Sequence, residues 1–445
     1  MTARLEIWHP FTQAALDPAP IRVVRAEGVY LYTAEGHKLI DAISSWWVNL
    51  HGHCHPGIAS AIAKQAQQLD HVLLAGVTHE AVEELAVRLR RFLPAPLTHV
   101  FFSDDGSTAV EVALKTAVQY WSNLGQPAKN GIVALEHAYH GDTVGAMSVS
   151  ADSGFTDAFS SLRFPVHRVP SAYCYRCPVG KRRESCNIDC LGATERLLRT
   201  RHAEIAAVIV EPMLQGAGGM IVHPREFLAG MRELCSRYGV LLIADEVLTG
   251  FGRCGTMFAC ELAGVVPDLM CLSKGITGGF LPMGATVCAD FVQKEFVSPD
   301  RSRTFYHGHS YTGNAIACAA AIANLDVFES EPVWERIAEI GAIHRRRLAG
   351  LQDHPAVAET RSIGTVAAIE LRAEDAGYAS RLRPVLYEFF LSRGVLLRPL
   401  GHVVYVLPPY VITAAELNAV YDVVGEGLEL VKQQAKLASH LVQKA

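Results

Sequence analysis

Two short apolar runs in this chain end in groups that can do covalent and acid–base chemistry together. Leu269-Met-Cys-Leu-Ser ends in Lys274 before a glycine-rich turn, and Val240-Leu-Leu-Ile-Ala ends in Asp245-Glu246. The amine and the carboxylate are 29 positions apart (274 − 245). If the runs are strands of a parallel sheet, both groups emerge at one rim, where open α/β folds bind their ligands. A lysine that bonds covalently to the cofactor, with an aspartate paired to a pyridinium nitrogen, is what proteins contribute to pyridoxal phosphate chemistry. A lysine taken alone is more often a solvated loop residue. The reading therefore rests on the pair and its surroundings.

A phosphate needs a seat as well. Ser103-Asp104-Asp105-Gly106-Ser107-Thr108 precedes apolar residues at helical spacing: Val110, Ala113, Leu114, Ala117 and Trp121. A helix start offers free N–H groups and a positive dipole end to a phosphate. Ser107 or Thr108 serving as a simple N-cap is the competing reading. Tyr139, just beyond the run Gly131 to Leu135, can stack on a planar ring or be a packed core tyrosine.

Such groups must be carried by a sheet, and the sequence offers its strands. Candidates are His99–Ser103, Gly131–Leu135, Ala206–Val210, Val240–Ala244, Leu269–Leu272 and Gly284–Cys288, with helical stretches such as Thr108–Trp121 and Glu226–Tyr238 between them. Continuous apolar strands alternating with helices imply an α/β fold, a mainly parallel sheet flanked by helices. Near Asn314 an alanine-rich helix begins, leading to short strands at Thr365–Glu370, Val395–Leu397 and Val403–Leu407. The expected organisation is an N-terminal arm (1–55), a large domain (56–313), and a C-terminal region (314–445) that forms a smaller α+β domain with the arm.

Composition excludes several classes. The 445 residues are 50% hydrophobic and 19% charged with a formal net charge of −5, which fits a compact core and no polyanion partner. Lys181-Arg182-Arg183 is too short for a nucleic-acid patch. There is no apolar run near the length a membrane span needs and no basic-then-apolar leader, so a soluble, cytoplasmic protein is expected. The 11 cysteines do not form a disulfide scaffold in a chain this long.

Trp8-His-Pro, Ser44-Ser-Trp-Trp47, Asp105-Gly-Ser-Thr-Ala-Val-Glu111, Tyr139-His-Gly-Asp142, Glu211-Pro…Gln215-Gly-Ala-Gly-Gly219, Ala244-Asp-Glu-Val…Thr249-Gly-Phe-Gly-Arg253 and Ser273-Lys-Gly275 run in order along the chain. Together they resemble the class III pyridoxal-phosphate aminotransferases of fold type I. The double tryptophan, the Tyr139 stretch and Arg398-Pro…Tyr405…Pro408-Pro-Tyr410 are most similar to the biotin-pathway branch.

The resemblance implies roles. Lys274 bonds the cofactor and then moves the reacting proton. Asp245 keeps the ring nitrogen protonated, Gly106 and Ser107 cradle the phosphate, and Tyr139 stacks on the ring. Trp46, Tyr139, Gly308 and Arg398 contact substrate, Arg398 as a bidentate clamp on a carboxylate. Asp142 and Arg253 belong to the same pocket. His309 and Ser310 occupy the place where family members contact the phosphate of the adjacent subunit, which implies a homodimer with shared sites. The implied reaction is a ping-pong amination of 8-amino-7-oxononanoate to 7,8-diaminononanoate. S-adenosylmethionine is the expected donor. Lysine is the alternative, because Phe11 stands where members that use S-adenosylmethionine have tyrosine, and Gly308-His309-Ser310 where they have Gly-Pro-Thr. Another ω-amino acid aminotransferase of the class is the second reading, and the paired tryptophans and Arg398 argue against it. A non-catalytic cofactor-binding protein would have little use for Lys274 and Asp245.

Cys174, Cys177, Cys186 and Cys190 fall within 17 residues as C-x2-C-x8-C-x3-C, in what reads as an inserted loop over 173–190. Closed four-thiolate sites for zinc or an iron–sulfur cluster are built from such pairs. Free thiols are the alternative. His51-Gly-His-Cys-His55 has the look of a metal cluster, but the resemblance implies a loop before a helix.

Overall fold

The computed structural model describes residues 6–154, 156–373 and 380–442, so the outermost ends of the expected arm and C-terminal region lie outside the described residues. Its largest sheet contains β4 (Leu97–Ser103), β5 (Gly131–Leu135), β6 (His167–Val169), β7 (Ile205–Val210), β10 (Leu241–Asp245), β11 (Leu269–Leu272) and β12 (Gly284–Ala289). Their spatial order is β4-β12-β11-β10-β7-β5-β6. Strands β11, β10, β7, β5 and β6 run parallel, and β12 is antiparallel to both of its neighbours.

The sequence explains this layering. Every residue of β7 (IAAVIV), β10 (LLIAD) and β11 (LMCL) is buried, as strands covered on both faces require. Burying each valine- or leucine-sized side chain contributes about 1.5–3 kcal/mol. Helix Gly106–Asn123 packs across β4, β7, β10, β11 and β12, with Val110, Ala113, Leu114, Ala117 and Trp121 buried. All nine expected strands are found, with ends shifted by at most two residues. The three-residue β6 was not expected, because His-Arg-Val carries no apolar run.

Smaller sheets surround the large one. β1 (Val23–Glu27), β2 (Tyr30–Thr33) and β3 (Lys38–Asp41) form an antiparallel ribbon, and β3 pairs in parallel with β15 (Val395–Leu396). The beginning and end of the chain are thus joined through one sheet. β13 (Val357–Ile363), β14 (Val366–Leu371) and β16 (Val403–Val406) form an antiparallel sheet, and β8 (Leu214–Gln215) and β9 (Ile221–Val222) a hairpin. The fold is α/β, a large mainly parallel sheet flanked by helices beside a smaller α+β part. Among the described residues no helix is long and apolar enough to cross a membrane.

Candidate active site

The site forms where β10 and β11 end. Their parallel register sets Asp245 opposite Cys271, and Lys274 follows three residues later. Lys274 has φ +42°, a conformation that a non-glycine residue keeps only when its surroundings enforce it. Its Nζ lies 5.1 Å from the centre of the Trp47 ring. Burial lowers the Lys274 pKa and Arg253 adds to that, against the pull of Asp245 and Glu211. A lysine shifted this way is more often the neutral nucleophile.

Asp245 is buried, and its Oδ2 is 2.6 Å from His140 Nδ1 while Oδ1 accepts from the Val247 N–H at 3.1 Å. An ionised carboxylate only accepts, so Nδ1 carries the hydrogen. His140 is buried too, and its Nε2 has no hydrogen-bond partner among the described residues. Next to it, the Tyr139 N–H donates to Glu211 Oε1 (2.9 Å) and the phenol donates to Asp142 Oδ2 (3.0 Å). Glu211 Oε2 accepts from the Gly216 N–H at 2.9 Å. Burial pushes the Glu211 carboxyl up to about 7, opposed by His140 and reinforced by Asp245.

The turn that opens helix Gly106–Asn123 is fixed by a capping box. Asp105, not Ser107 or Thr108, is the N-cap: its side chain accepts from the Thr108 N–H (2.7 Å), and Thr108 Oγ1 accepts from the Asp105 N–H (3.1 Å). The box leaves the Gly106 and Ser107 amides for another acceptor. Gly106 packs tightly on the Asp245 strand end, since a Cβ there would lie 2.6 Å from Val247 Cγ1.

The pocket wall is a strained turn. Ser44, Ser45, Trp46 and Trp47 have φ of 51°, 45°, 70° and 78°. Four consecutive non-glycine residues in the left-handed region cost roughly 1–2 kcal/mol each. Ser44 Oγ donates to Leu407 O (2.8 Å), Ser45 Oγ to Asp41 Oδ2 (2.7 Å), and Arg253 to Trp47 O (3.3 Å) and Asn49 O (2.7 Å). At the mouth, Phe11 meets Trp46 edge-on at 5.4 Å, and the Arg398 guanidinium lies 4.8 Å from the Trp46 ring centre. Arg398 forms no ion pair among the described residues.

Lys274, Asp245, Tyr139, Asp142, Gly106, Ser107, Trp46, Phe11 and Arg398 are therefore linked through the rim, the phosphate turn and the tryptophan turn. Arg253 is buried, with its guanidinium bound to Pro408 O (2.9 Å) as well as to Trp47 and Asn49, and 5.0 Å from the Tyr410 ring centre, so it holds the pocket wall; its Nε has no hydrogen-bond partner among the described residues, and its charge helps to lower the Lys274 pKa. Gly308 and Ser310 lie on an exposed loop, and His309 Nε2 stands 3.8 Å from Asp104 Oδ1. Among the described residues no three His, Cys, Asp or Glu side chains form a metal site, and Cys174, Cys177, Cys186 and Cys190 are free. Cys174 is exposed while Cys190 is buried at the head of helix Leu191–Arg201, so the thiols lie at different depths. His51, His53 and His55 bond separately to Asn324, Asp41 and Glu331. His140 and Glu211 were not singled out from sequence. Glu211 could have been, because it is a charged group directly after the apolar run Ala206–Val210, the same signal that marks Asp245; His140 lies beyond Glu136-His-Ala-Tyr139 and carries no such signal.

These residues fit pyridoxal phosphate. There is a buried amine with a lowered pKa, an acceptor-only carboxylate for a ring nitrogen, and a helix start with uncommitted amides over a glycine that has no room for a side chain. A lysine and an aspartate at adjacent parallel strand ends, above such a helix, define a pyridoxal-phosphate enzyme. The chain belongs to the class-III aminotransferase family, which matches residues 11–426. It is 46% identical over 430 residues to the adenosylmethionine-8-amino-7-oxononanoate aminotransferase of Synechococcus elongatus, covering 96% of this chain and 100% of that one. The crystal structure of the enzyme of that name from Methanocaldococcus jannaschii superposes with a TM-score of 0.88 at 35% identity, covering 95% of this chain and 97% of the other. An amine transaminase from an uncultivated Pseudomonas species, solved in its PLP-bound form, superposes at 0.92 with 32% identity, covering 97% and 100%.

Proposed function

We propose that this chain transfers an amino group to 8-amino-7-oxononanoate, giving 7,8-diaminononanoate, with S-adenosylmethionine as donor and lysine as the alternative donor. The observation that carries the reading is Arg398, a cation with no ion-pair partner among the described residues, seated on Trp46 at the mouth of the pocket. It offers a bidentate site for the carboxylate of such an acceptor. The full-length similarity to relatives with this activity in their names supports the choice.

Pyridoxal phosphate, when bound, supplies an electron sink that stores the amino group between the two halves of a ping-pong cycle. Asp245 holds the proton at the ring nitrogen, and His140 fixes the carboxylate that does so. Lys274 Nζ takes and returns the reacting proton. Tyr139 covers the ring, Gly106 and Ser107 hold the phosphate, and Trp46, Trp47 and Phe11 form walls that admit unlike substrates. We further propose a cytoplasmic homodimer in which Gly308, His309 and Ser310 reach the partner's site. The strongly exposed aromatics Tyr306 and Tyr311, 72% and 66% exposed, support an interface there. The division into 1–55, 56–313 and 314–445 is part of the same proposal.

A second reading, an amine or ω-amino acid transaminase, is favoured by the fold match to the Pseudomonas amine transaminase. A donor–acceptor screen separates the two. The purified enzyme is loaded by S-adenosylmethionine or by lysine, then given 8-amino-7-oxononanoate, and the diamine is measured by mass spectrometry. Turnover confined to simple amines and ω-amino acids sinks the first reading.

A further inference from the structure

Glu111 lies on helix Gly106–Asn123, one and a half turns beyond the phosphate turn, and touches neither Lys274 nor Asp245. All its bonds fall on one oxygen. Oε1 accepts from Thr143 Oγ1 (2.6 Å), from the Gly145 N–H (2.6 Å) and from the Ala146 N–H (3.1 Å). Thr143 is the N-cap of helix Val144–Val149, yet its own side chain makes no capping bond. An N-cap hydroxyl ordinarily accepts from the second or third amide of its helix. Here the carboxylate of another helix does that work. Gly145 permits the approach, since a Cβ there would lie 2.1 Å from Glu111 Oε2.

Relieved of capping, Thr143 faces Ser107. Its N–H donates to Ser107 Oγ (3.0 Å), and the two hydroxyls are 2.8 Å apart. Thr143 has one hydroxyl hydrogen, and Glu111 takes it, because an ionised carboxylate can only accept. Between the hydroxyls, Ser107 is therefore the donor. Gly141 makes room for this contact, since a Cβ there would lie 2.3 Å from Ser107 Oγ. The chain Glu111–Thr143–Ser107 thus ties the phosphate turn to the segment 139–146, which carries Tyr139 and His140.

We propose that Glu111 is a positioning residue for the cofactor, joining the phosphate seat to the ring seat and fixing the Ser107 side chain so that its backbone N–H is left for the phosphate. The inference rests on the pyridoxal phosphate reading of the site. Removing the carboxylate loosens the join, which then rests on the Thr143 N–H bond to Ser107 Oγ, so cofactor affinity falls while the apoenzyme core stays intact.

The test is cofactor affinity of the apoenzyme, followed by fluorescence quenching, with the ³¹P resonance of the bound phosphate as a second readout. Glu111→Ala is expected to weaken binding about tenfold or more, the scale of a lost charge-assisted bond, and to shift the ³¹P resonance. Glu111→Gln keeps an oxygen at the Oε1 position and is expected to recover most of the affinity. Thr143→Val keeps the amide bonds to Glu111 and the Thr143 N–H bond to Ser107, and removes both hydroxyl bonds, to Glu111 and to Ser107. It should also weaken binding, and combined with Glu111→Ala should add little. Wild-type affinity and an unmoved resonance in Thr143→Val overturn the proposal, even if Glu111→Ala fails to fold. A wild-type chain that takes up no pyridoxal phosphate instead overturns the reading beneath it.

Discussion

His140 Nδ1 and Asp245 Oδ2 stand 2.6 Å apart with both side chains buried, so the carboxylate proposed for the cofactor's ring nitrogen is held by a second donor beside the Val247 N–H. Among the described residues the imidazole Nε2 has no hydrogen-bond partner, so Asp245 is the one side chain that holds the ring there. His140→Ala is expected to lower kcat/KM by about 10- to 100-fold, as loss of a supporting partner does at comparable sites. His140→Asn, which keeps a donor, should recover part of the loss. Steady-state kinetics of the two variants check this, and equal rates in wild type and His140→Ala refute it.

Arg253 ties Trp47 O, Asn49 O and Pro408 O, joining the strained tryptophan turn to the C-terminal segment. Arg253→Met leaves these buried carbonyls without their donor, at a cost of about 1–3 kcal/mol for each unsatisfied group. A lower Tm is expected, with a raised KM for substrates that touch Trp46. Arg253→Lys should restore little, because one ammonium cannot reproduce the planar fork. An unchanged Tm in Arg253→Met defeats the assignment.

What was legible from sequence, and what was not, has a physical basis. Asp245 and Lys274 stood out because fully buried parallel strands leave unbroken apolar runs, and a charge at the end of one is conspicuous. The ribbon Val23–Glu27, Tyr30–Thr33 and Lys38–Asp41 left no such run, since its first strand is mostly exposed. The carbonyls that hold Arg253 were not legible, because a motif fixes residue type and order but does not say which way a guanidinium points. Glu111 and Thr143 act through each other across 32 positions, and no local pattern reveals that. The left-handed turn at Ser44–Trp47 contradicts local preference and is enforced by distant partners such as Leu407 and Arg253.

Glu370 gathers Tyr173, Arg176, Arg361 and His402 around one buried carboxylate, linking the segment before Cys174 to β13 and β14. Burial acts to raise the Glu370 pKa. Bonds from His402, Tyr173 and Arg176, with the Arg361 charge, outweigh it and hold the carboxyl well below the usual range. A depressed folded pKa gives stability that is present above the unfolded value and lost as pH falls toward the folded one. Below about pH 4 the unfolded chain takes up a proton that the folded chain refuses, so stability should fall by up to about 1.4 kcal/mol per pH unit from this group. Glu370→Gln should flatten that part of the Tm-against-pH curve between pH 5 and 3. An unaltered slope in the variant removes Glu370 from the acid transition.

Arg398 is expected to sort substrates by their carboxylate. Its guanidinium lies over Trp46, whose φ of +70° belongs to the strained turn, and Phe11 closes on the same indole edge-on. The contact with Trp46 holds the cation at the pocket mouth, where its N–H groups can meet a carboxylate as a bidentate pair. Arg398→Lys keeps the charge but loses the planar fork, and Arg398→Ala loses both. For an acceptor that carries a carboxylate, KM should rise about 10-fold or more in Arg398→Lys and further in Arg398→Ala, on the scale of a lost charge-assisted pair. For a simple amine without a carboxylate, the same variants should react nearly as the wild type does, because Lys274, Asp245 and His140 are untouched. A uniform fall in rate across both substrate kinds would mean that Arg398 supports Trp46 and does not bind the acid. Equal KM values in all three proteins would place the carboxylate elsewhere in the pocket.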